Sequence, residues 1–296
     1  MDSPEATIPR QWAFASPARL VVVYISPVSD LMLRALGWRA LFIHGDPCVL
    51  DRWLWLRRHL RKGDVRTFDA GCGNGAFSIY AARAGNKVVA ASFSVREQED
   101  ARRRAEMLGV SGIEFRKLDL RELDDHRGSL GAFDQIICLE TIEHVNGDEE
   151  LVRSLAGMLK PGGQLLLTTP FDEHHPLFSE ERYPSAVEDG SHVIYGYSQE
   201  RLGQIAQGAR LEIASEGFLS GVISQKLTDL MRRLTIRRGL MTAWLVVLPL
   251  RPLVIVDAAL TRLLRYPHLS VALSAVKPED PRSVRPAGSQ SPCGSS

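Results

Sequence analysis

Three glycines at alternate positions, Gly71, Gly73 and Gly75, follow a short apolar run that contains an acid, Asp69. A helix-like apolar pattern comes directly after them. A glycine-rich turn between a strand and a helix lets a ligand lie close to the backbone, and an acid beside it can stabilise a cationic group. Taken alone, such a turn binds a dinucleotide, a nucleoside or no ligand at all.

A second set of side chains is suited to acid–base chemistry. Glu143 and His144 follow an apolar, strand-like run, and His192 lies in a long polar and aromatic segment, residues 171–198. Such groups move protons near neutral pH when they lie within hydrogen-bonding reach of a reacting atom. We expect these three residues to handle a proton or orient a substrate. In the alternatives, His144 packs against a ligand or caps a helix, and His192 anchors the segment.

The rest of the chain supplies the elements that must position these residues. Strand-like runs begin near residues 66, 87, 113, 133 and 164, and helical patterns separate them. Strands that alternate with helices form a parallel sheet covered on both faces, with right-handed crossovers. Ligands of such sheets bind at the carboxyl ends of the strands, where the predicted site residues are expected to meet.

The stretch from Val65 to Pro170 resembles class I S-adenosylmethionine-dependent methyltransferases. "FDAGCGNGAF" is similar to the first motif of that family, and "GIEFRKLDLREL" to its third-strand segment. "GAFDQIICLETIEHV" and "LKPGGQLLLTTP" resemble the fourth-strand motif and the helix-turn-strand after it. "LETIEHV" looks like the corresponding segment of ubiquinone-biosynthesis O-methyltransferases. The four pieces come in the family's order, which is more specific than any one of them.

The resemblance implies an α/β, Rossmann-like fold with a seven-stranded, mostly parallel sheet and an antiparallel last strand. It implies S-adenosylmethionine as cofactor and methyl transfer as the reaction, with an oxygen of a small or lipid-like molecule as the expected acceptor. The alternatives on the same fold are a cofactor-binding pseudoenzyme, a repurposed cyclase and a protein methyltransferase.

The resemblance also assigns cofactor-binding residues at the predicted strand ends. Asp69 is expected to face the methionine amine, and Asp119 and Leu120 to lie beside the adenine. The full predicted set is Asp69, Gly71, Cys72, Gly73, Gly75, Ser92, Phe93, Asp119, Leu120 and Leu139.

One position departs from the family pattern. Ser92 stands where the family has an acid that binds the ribose hydroxyls. A serine hydroxyl cannot make the charge-assisted, bidentate contact of a carboxylate, which is a loss of about 1–2 kcal/mol of cofactor affinity. Glu97 or Glu99, a few residues on, is a candidate to compensate.

The composition and the remaining motifs exclude several classes of partner. The net charge of +1 does not favour a nucleic-acid-binding surface, and no Asn/Asp-Pro-Pro-Tyr motif points to base methylation.

His174 and His175, with Asp172, resemble a metal site, but adjacent loop histidines are expected to be solvent-exposed, and no metal ligand is predicted. The four scattered cysteines and an N-terminus without a signal-peptide pattern predict a cytoplasmic protein.

The predicted organisation has a helical N-terminal cover over residues 1–62 and a methyltransferase domain over 63–277. Residues 171–198 are its expected lid and 222–268 a helical insertion. Residues 278–296, rich in Pro, Ser and Gly, are an expected disordered tail.

The insertion carries an apolar run, residues 240–264, that arginines precede. Pro249, Arg251 and Pro252 are expected to break it into pieces of about ten residues, too short for a bilayer of roughly 30 Å. Three interpretations remain open: a roof over the substrate pocket, a peripheral membrane contact through 232–264, or an oligomer contact. The sequence leaves the oligomeric state open.

Overall fold

The computed structural model describes residues 27–43, 46–175, 184–185 and 190–279 of the 296-residue chain. The first 26 residues of the predicted N-terminal cover and almost all of the predicted tail lie outside the described residues. The predicted domain boundaries remain predictions.

The described residues form one seven-stranded sheet. Its strands are β1 (Arg66–Ala70), β2 (Lys87–Ser92), β3 (Ile113–Lys117), β4 (Phe133–Leu139), β5 (Leu159–Pro170), β6 (Glu212–Leu219) and β7 (Ser270–Val276). They lie in the order β3-β2-β1-β4-β5-β7-β6. Neighbouring strands among β1–β5 pair in parallel, and β7 is antiparallel to both β5 and β6. The predicted sheet is confirmed.

Helices lie before the sheet and between its strands. Those before the sheet are α1 (Pro27–Leu36), α2 (Ala40–Ile43) and α3 (Pro47–His59), and those between strands are α4 (Ala76–Arg83), α5 (Val95–Met107), α6 (Leu123–Leu130), α7 (Asp148–Met158) and α8 (Gln199–Gly208). Alternate residues of β4 face opposite layers: Ile136 and Cys138 pack with α7 and α8, whereas Ile137 and Leu139 pack with α3 and α4. This is why the strand reads as a continuous apolar run.

The N-terminal helices are held on the sheet by aromatic packing. Phe42 stacks on Trp53 with ring centroids 5.1 Å apart, and both rings contact Tyr80 of α4 edge-on. Asp46 caps α3, because its carboxylate accepts a hydrogen bond of 2.8 Å from the backbone N–H of Cys48. The helical cover therefore exists over the described residues 27–43 and 46–60.

The helix α7 is shorter than the helix-turn-strand resemblance of "LKPGGQLLLTTP" predicts. It ends at Met158, and the Pro-Gly-Gly stretch is part of the first half of β5. Leu159 pairs with Phe133 of β4, and the register shifts before Gln164 pairs with Gln135. An irregular strand entry accommodates residues that the sequence pattern assigned to a turn.

The insertion between β6 and β7 is a helical hairpin. It consists of α9 (Val222–Arg238), α10 (Leu240–Val247), a 3₁₀ segment (Leu248–Val256) and α11 (Asp257–Leu264). The second arm returns along α9, since Leu240, Ala243 and Val247 pack with Leu227 and Met231 of α9. Asp257 ties the far end of that arm to the start of α9, accepting from the backbone N–H groups of Gly221 (3.0 Å) and Ile223 (2.7 Å).

The predicted break at Pro249, Arg251 and Pro252 is wrong. The chain stays helical from Leu240 to Leu264, because the prolines lie in a tighter 3₁₀ segment that tolerates them. By length and composition this is the one helical segment of the described residues that is long and apolar enough to cross a membrane. Only 22% of its most apolar part is buried.

Candidate cofactor and active site

The glycine turn joins β1 to α4 at the carboxyl edge of the sheet. Gly71, Gly73 and Gly75 have φ of 84°, 48° and 78°, a region that glycine adopts far more readily than other residues. A Cβ at Gly71 would collide with the side chain of Thr141, and one at Gly75 would lie 2.7 Å from Cβ of Ala101. A Cβ at Gly73 would meet no atom within 4 Å. Packing therefore requires the first and third glycines, whereas the middle one faces space that a ligand can enter.

Asp69, near the end of β1, is buried beneath this turn with 2% of its surface exposed. The hydroxyl of Ser78 on α4 donates a hydrogen bond of 2.5 Å to its carboxylate. Burial raises the pKa of Asp69 to about 6, and the hydrogen bonds from Ser78 oppose that shift. The carboxylate thus has a partner within the protein, and its contact with a cofactor amine stays a prediction.

Ser92 ends β2, at the predicted ribose position, and a carboxylate lies next to its side chain. Its hydroxyl donates a hydrogen bond of 2.6 Å to the carboxylate of Glu97. Glu97 lies in the first turn of α5, where its backbone N–H donates to the capping hydroxyl of Ser94 at 3.3 Å. An acid therefore stands beside the serine, supplied by the next helix rather than by the strand.

The other predicted cofactor residues lie at the same edge. Phe93 follows Ser92 and is 59% exposed, and Leu139 ends β4 with 7% exposed. Cys72 is buried with its Sγ 3.5 Å from Nε2 of Gln98, and burial raises the pKa of its thiol. Its side chain therefore packs against α5, and its backbone N–H and carbonyl oxygen bond to Ala91 (2.8 Å) and Gly75 (2.9 Å) within the turn.

Asp119 follows β3 and begins a 3₁₀ turn, Leu120–Glu122. Its carboxylate accepts hydrogen bonds from the backbone N–H (3.0 Å) and the guanidinium Nε (2.9 Å) of Arg121. These hydrogen bonds hold the pKa of Asp119 below its ordinary value. The acid is ionised and half-buried next to Leu120, which agrees with the position predicted for the adenine contact but does not test it.

The predicted acid–base residues come together where β4 ends. Nε2 of His144 lies 4.0 Å from Oε1 of Glu143, and the rings of His144 and His192 are 4.7 Å apart at 78°. Nδ1 of His144 is 3.1 Å from the carbonyl oxygen of Ser191. Because a carbonyl only accepts, Nδ1 carries a proton, and in the neutral imidazole Nε2 keeps a free lone pair.

The electrostatics of this cluster favour neutral groups. Burial, and then the charge of Glu140, raise the pKa of Glu143 well above its usual range. Burial, followed by the neighbouring His144, lowers the pKa of His192 to about 4. Oε2 of Glu143 accepts from the Thr169 hydroxyl at 3.2 Å, and Oε1 has no hydrogen-bond partner among the residues that the structure describes. A buried, unpaired oxygen is costly, so this atom is placed to meet a ligand.

The cluster offers more than proton transfer. Glu143, His144 and His192 each present one ligand atom, and the three atoms lie within 4.8 Å of one another. Carboxylate and imidazole groups at this separation are able to hold a divalent cation. No metal ligand was predicted here, because α7 and β5 separate His192 from the other two residues along the chain.

Sequence reasoning missed an ion pair at the same edge. Nη2 of Arg52, on α3, lies 3.1 Å from Oε2 of Glu140, whose Oε1 accepts from the Thr168 hydroxyl at 3.0 Å. Glu140 has a positive φ of 51°, which is uncommon outside glycine and is held here by its partners. Arg52 stands in an arginine-rich helix, and nothing in that pattern singles it out.

The expectation that His174 is solvent-exposed is wrong. Its side chain is 7% exposed, its Nδ1 bonds to the carbonyl oxygen of Phe171, and its ring stacks on Tyr195 at 4.5 Å. His175 is exposed, as expected. The two histidines therefore do not act as one site, and His174 anchors the described part of the lid.

Comparison with known proteins agrees with this geometry. Residues 68–167 match the family described as "Methyltransferase domain". A ubiquinone biosynthesis O-methyltransferase from Xanthomonas axonopodis pv. citri (strain 306) is 32% identical over 115 residues, which are 39% of this chain and 47% of that protein. The chain thus spans about half the length of the curated relatives it matches.

Solved structures share the fold. An S-adenosylmethionine dependent methyltransferase from Mesorhizobium loti has a TM-score of 0.51 at 18% identity, covering 79% of this chain and 100% of that one. The [4+2]-cyclase SpnF has a TM-score of 0.52 at 22% identity, covering 77% and 81% of the two chains. Identities this low show a common fold and nothing about the reaction. The family match supports S-adenosylmethionine as the cofactor, and residues 68–167 match a methyltransferase domain within the seven-stranded sheet described above.

Proposed function

We propose that this protein binds S-adenosylmethionine at the carboxyl edge of its sheet and methylates an oxygen of a small or lipid-like acceptor. One observation carries the proposal: the open glycine turn, the Ser92–Glu97 pair and the Glu143–His144–His192 cluster follow β1, β2 and β4, which are neighbours in the sheet. A cofactor-binding face and a proton-handling cluster thus lie side by side.

The residues present fit the cofactor. The positive-φ backbone at Gly73 borders open space, and the Glu97 carboxylate is able to accept two hydrogen bonds from vicinal hydroxyls. Asp69 is placed to attract an ammonium group, because its burial leaves few other means of balancing its charge. Glu97 therefore takes the role that the family gives to the residue at the end of the second strand.

When bound, S-adenosylmethionine supplies a sulfonium methyl, whose bond to sulfur breaks with its electron pair passing to sulfur as the acceptor oxygen bonds to carbon. The protein must align that oxygen and accept its proton. Nε2 of His144 has the free lone pair for this step, since Nδ1 is bonded to Ser191. His192, neutral above about pH 4, orients the acceptor without adding a second charge.

The choice of acceptor rests on the curated relatives, whose name describes O-methylation in ubiquinone biosynthesis. The cyclase alternative has no comparable support, because its likeness extends to the fold alone. A cytoplasmic location stays a prediction.

The activity is tested by incubating the protein and S-adenosylmethionine with metabolite and lipid extracts. We expect compounds that gain the mass of one methyl group, and S-adenosylhomocysteine formed in equal amount. His144→Gln should lower turnover by roughly 10²–10⁴-fold, the usual contribution of a general base, with cofactor affinity kept. His126→Gln, a histidine on α6, is the matched control. Cofactor binding without any methylated product would contradict the transfer step.

The pKa of Asp69 predicts how cofactor affinity depends on pH. Since burial raises this pKa to about 6, the carboxyl is protonated below that pH and ionised above it. The affinity for S-adenosylhomocysteine should therefore rise about tenfold between about pH 5 and pH 7, measured by calorimetry. Asp69→Asn should flatten the profile, and Asp134→Asn, at the opposite sheet edge, should keep it. A flat wild-type profile would remove the role of Asp69.

The open space beside Gly73 predicts that one added methyl group weakens cofactor binding at this position but not at a comparable glycine elsewhere. Gly73→Ala should weaken cofactor binding by about tenfold or more, because the new Cβ enters ligand space. Gly109→Ala is the control: Gly109 also has a positive φ, 61°, with no atom within 4 Å of a Cβ. Both variants should lose about 1–2 kcal/mol of stability from backbone strain in denaturant titrations. Equal cofactor affinity in the two would show that the turn lies outside the binding site.

The pairing of Ser92 with Glu97 predicts which acid holds the ribose. Glu97→Gln should weaken cofactor binding about tenfold or more, since hydrogen bonds to a charged group contribute about 1.5–3 kcal/mol. Glu99→Gln, an exposed acid on the same helix, should leave the dissociation constant unchanged. The reverse ranking in calorimetry would assign the ribose to another residue.

A further inference from the structure

The outer face of the hairpin's second arm, residues 240–264, is apolar and uncovered in the described structure. Six large apolar side chains there are each more than half exposed, and Ile255 reaches 86%. They are Leu245, Leu253, Ile255, Val256, Leu263 and Leu264. Exposed apolar surface of this extent is rare on soluble monomers and marks a contact with a protein or a membrane.

Packing within the fold does not account for this surface. The arm already uses a separate stripe against α9: Leu240, Ala243 and Val247 are buried at three- and four-residue steps in α10, and Asp257 and Thr261 are buried four residues apart in α11. Such a stripe is the side on which one arm of a helical hairpin packs against the other. The remaining surface of an ordinary amphipathic helix is polar. This arm is apolar on nearly all sides, which indicates a second apolar environment.

Charge at the two ends of the arm identifies that environment. Arg237 and Arg238 are exposed where α9 turns into α10, and Arg262 and Arg265 are exposed at the end of α11. The acids of residues 222–268, all of which the structure describes, are Asp229 and Asp257: the first pairs with Arg233 at 2.7 Å and the second is buried.

An apolar strip with arginines at both ends complements anionic lipid, whose head groups meet the arginines while acyl chains meet the strip.

We propose that this outer face docks on the surface of an anionic bilayer and lies in its interface. The arm does not span the bilayer, because it packs along α9 and its far end is fixed to Gly221 and Ile223 by the buried Asp257. Arg251, in the middle of the arm, also donates to the carbonyl oxygen of Phe42 in the N-terminal cover. These contacts hold the whole arm on one side of the membrane.

Docking would place the candidate active site next to the lipid. The hairpin leaves β6 and returns to β7 at the carboxyl edge, where Ser270 pairs with both Leu219 and Pro170. Arg232 of α9 reaches Asp46 at 3.4 Å, beside the helix that carries Arg52. An acceptor with an apolar tail could then enter the site while its tail remains in the bilayer. This orientation rests on the proposed function, whereas the docking itself does not.

Vesicle flotation without cofactor tests the docking. We expect the protein to float with vesicles of phosphatidylcholine and phosphatidylglycerol, to float far less with phosphatidylcholine alone, and to be released by salt. Arg237→Glu with Arg238→Glu should lower the bound fraction about tenfold or more, at roughly 1 kcal/mol for each arginine near the surface. Leu245→Glu with Leu263→Glu should abolish binding.

Matched controls separate docking from general effects of charge and folding. Arg58→Glu with Lys62→Glu makes the same charge change on exposed residues just before β1, at the opposite sheet edge, and Leu31→Glu adds an acid at an apolar residue that is 56% exposed. Both control variants should bind vesicles as the wild type does. Thermal denaturation of every variant checks that it folds.

Three results would overturn the proposal: equal flotation of the arginine variant and the wild type, resistance to alkaline carbonate as in a spanning protein, or a dimer that Leu245→Glu with Leu263→Glu makes monomeric. Calorimetry with S-adenosylhomocysteine in the absence of vesicles tests the cofactor site separately. Failure of docking therefore remains distinguishable from failure of the proposed function.

Discussion

The close approach of β1 and β4 at Gly71 is the constraint on which the site depends. The side chain of Thr141 fills the volume that a Cβ at Gly71 would take, and its hydroxyl lies 3.3 Å from the Ala70 carbonyl and 3.1 Å from that of Leu139. This contact locks the ends of the two central strands together. The glycine turn then lies on one side and Glu143 with His144 on the other, at a fixed separation.

Burial sets the chemistry at this edge. Desolvation raises the pKa of both Asp69 and Glu143 and lowers that of His192, so the site favours uncharged side chains before a ligand enters. Glu140 is the contrasting case, since Arg52 and Thr168 share its carboxylate. A cationic ligand entering such a crevice gains more from a carboxylate than it would in water, because the surrounding dielectric is low.

The fold could be predicted from local pattern to a large extent, because strand and helix periods and the order of motifs are carried by neighbouring residues. The glycine turn between β1 and α4 could be predicted for the same reason, and its contact with a cofactor stays a prediction. The sequence could name Glu97 only as one of two candidates to compensate for Ser92, the other being Glu99. Choosing between them requires the three-dimensional geometry of the first turn of α5. Arg52 was missed because its partner, Glu140, is 88 residues away, and His174 was misjudged because the ring that covers it, Tyr195, comes from the far end of the lid.

The pairing of Leu219 with Ser270 has a consequence for the history of the hairpin. The two ends of the hairpin meet on adjacent strands. Residues 220–269 therefore form an insertion that begins and ends at the same place in the sheet and does not change the register of the strands. A chain could acquire or lose this unit without rebuilding the central domain. Removal of the hairpin would instead affect the start of α3, because Asp46 and Cys48 would each lose a hydrogen-bonded contact with Thr228.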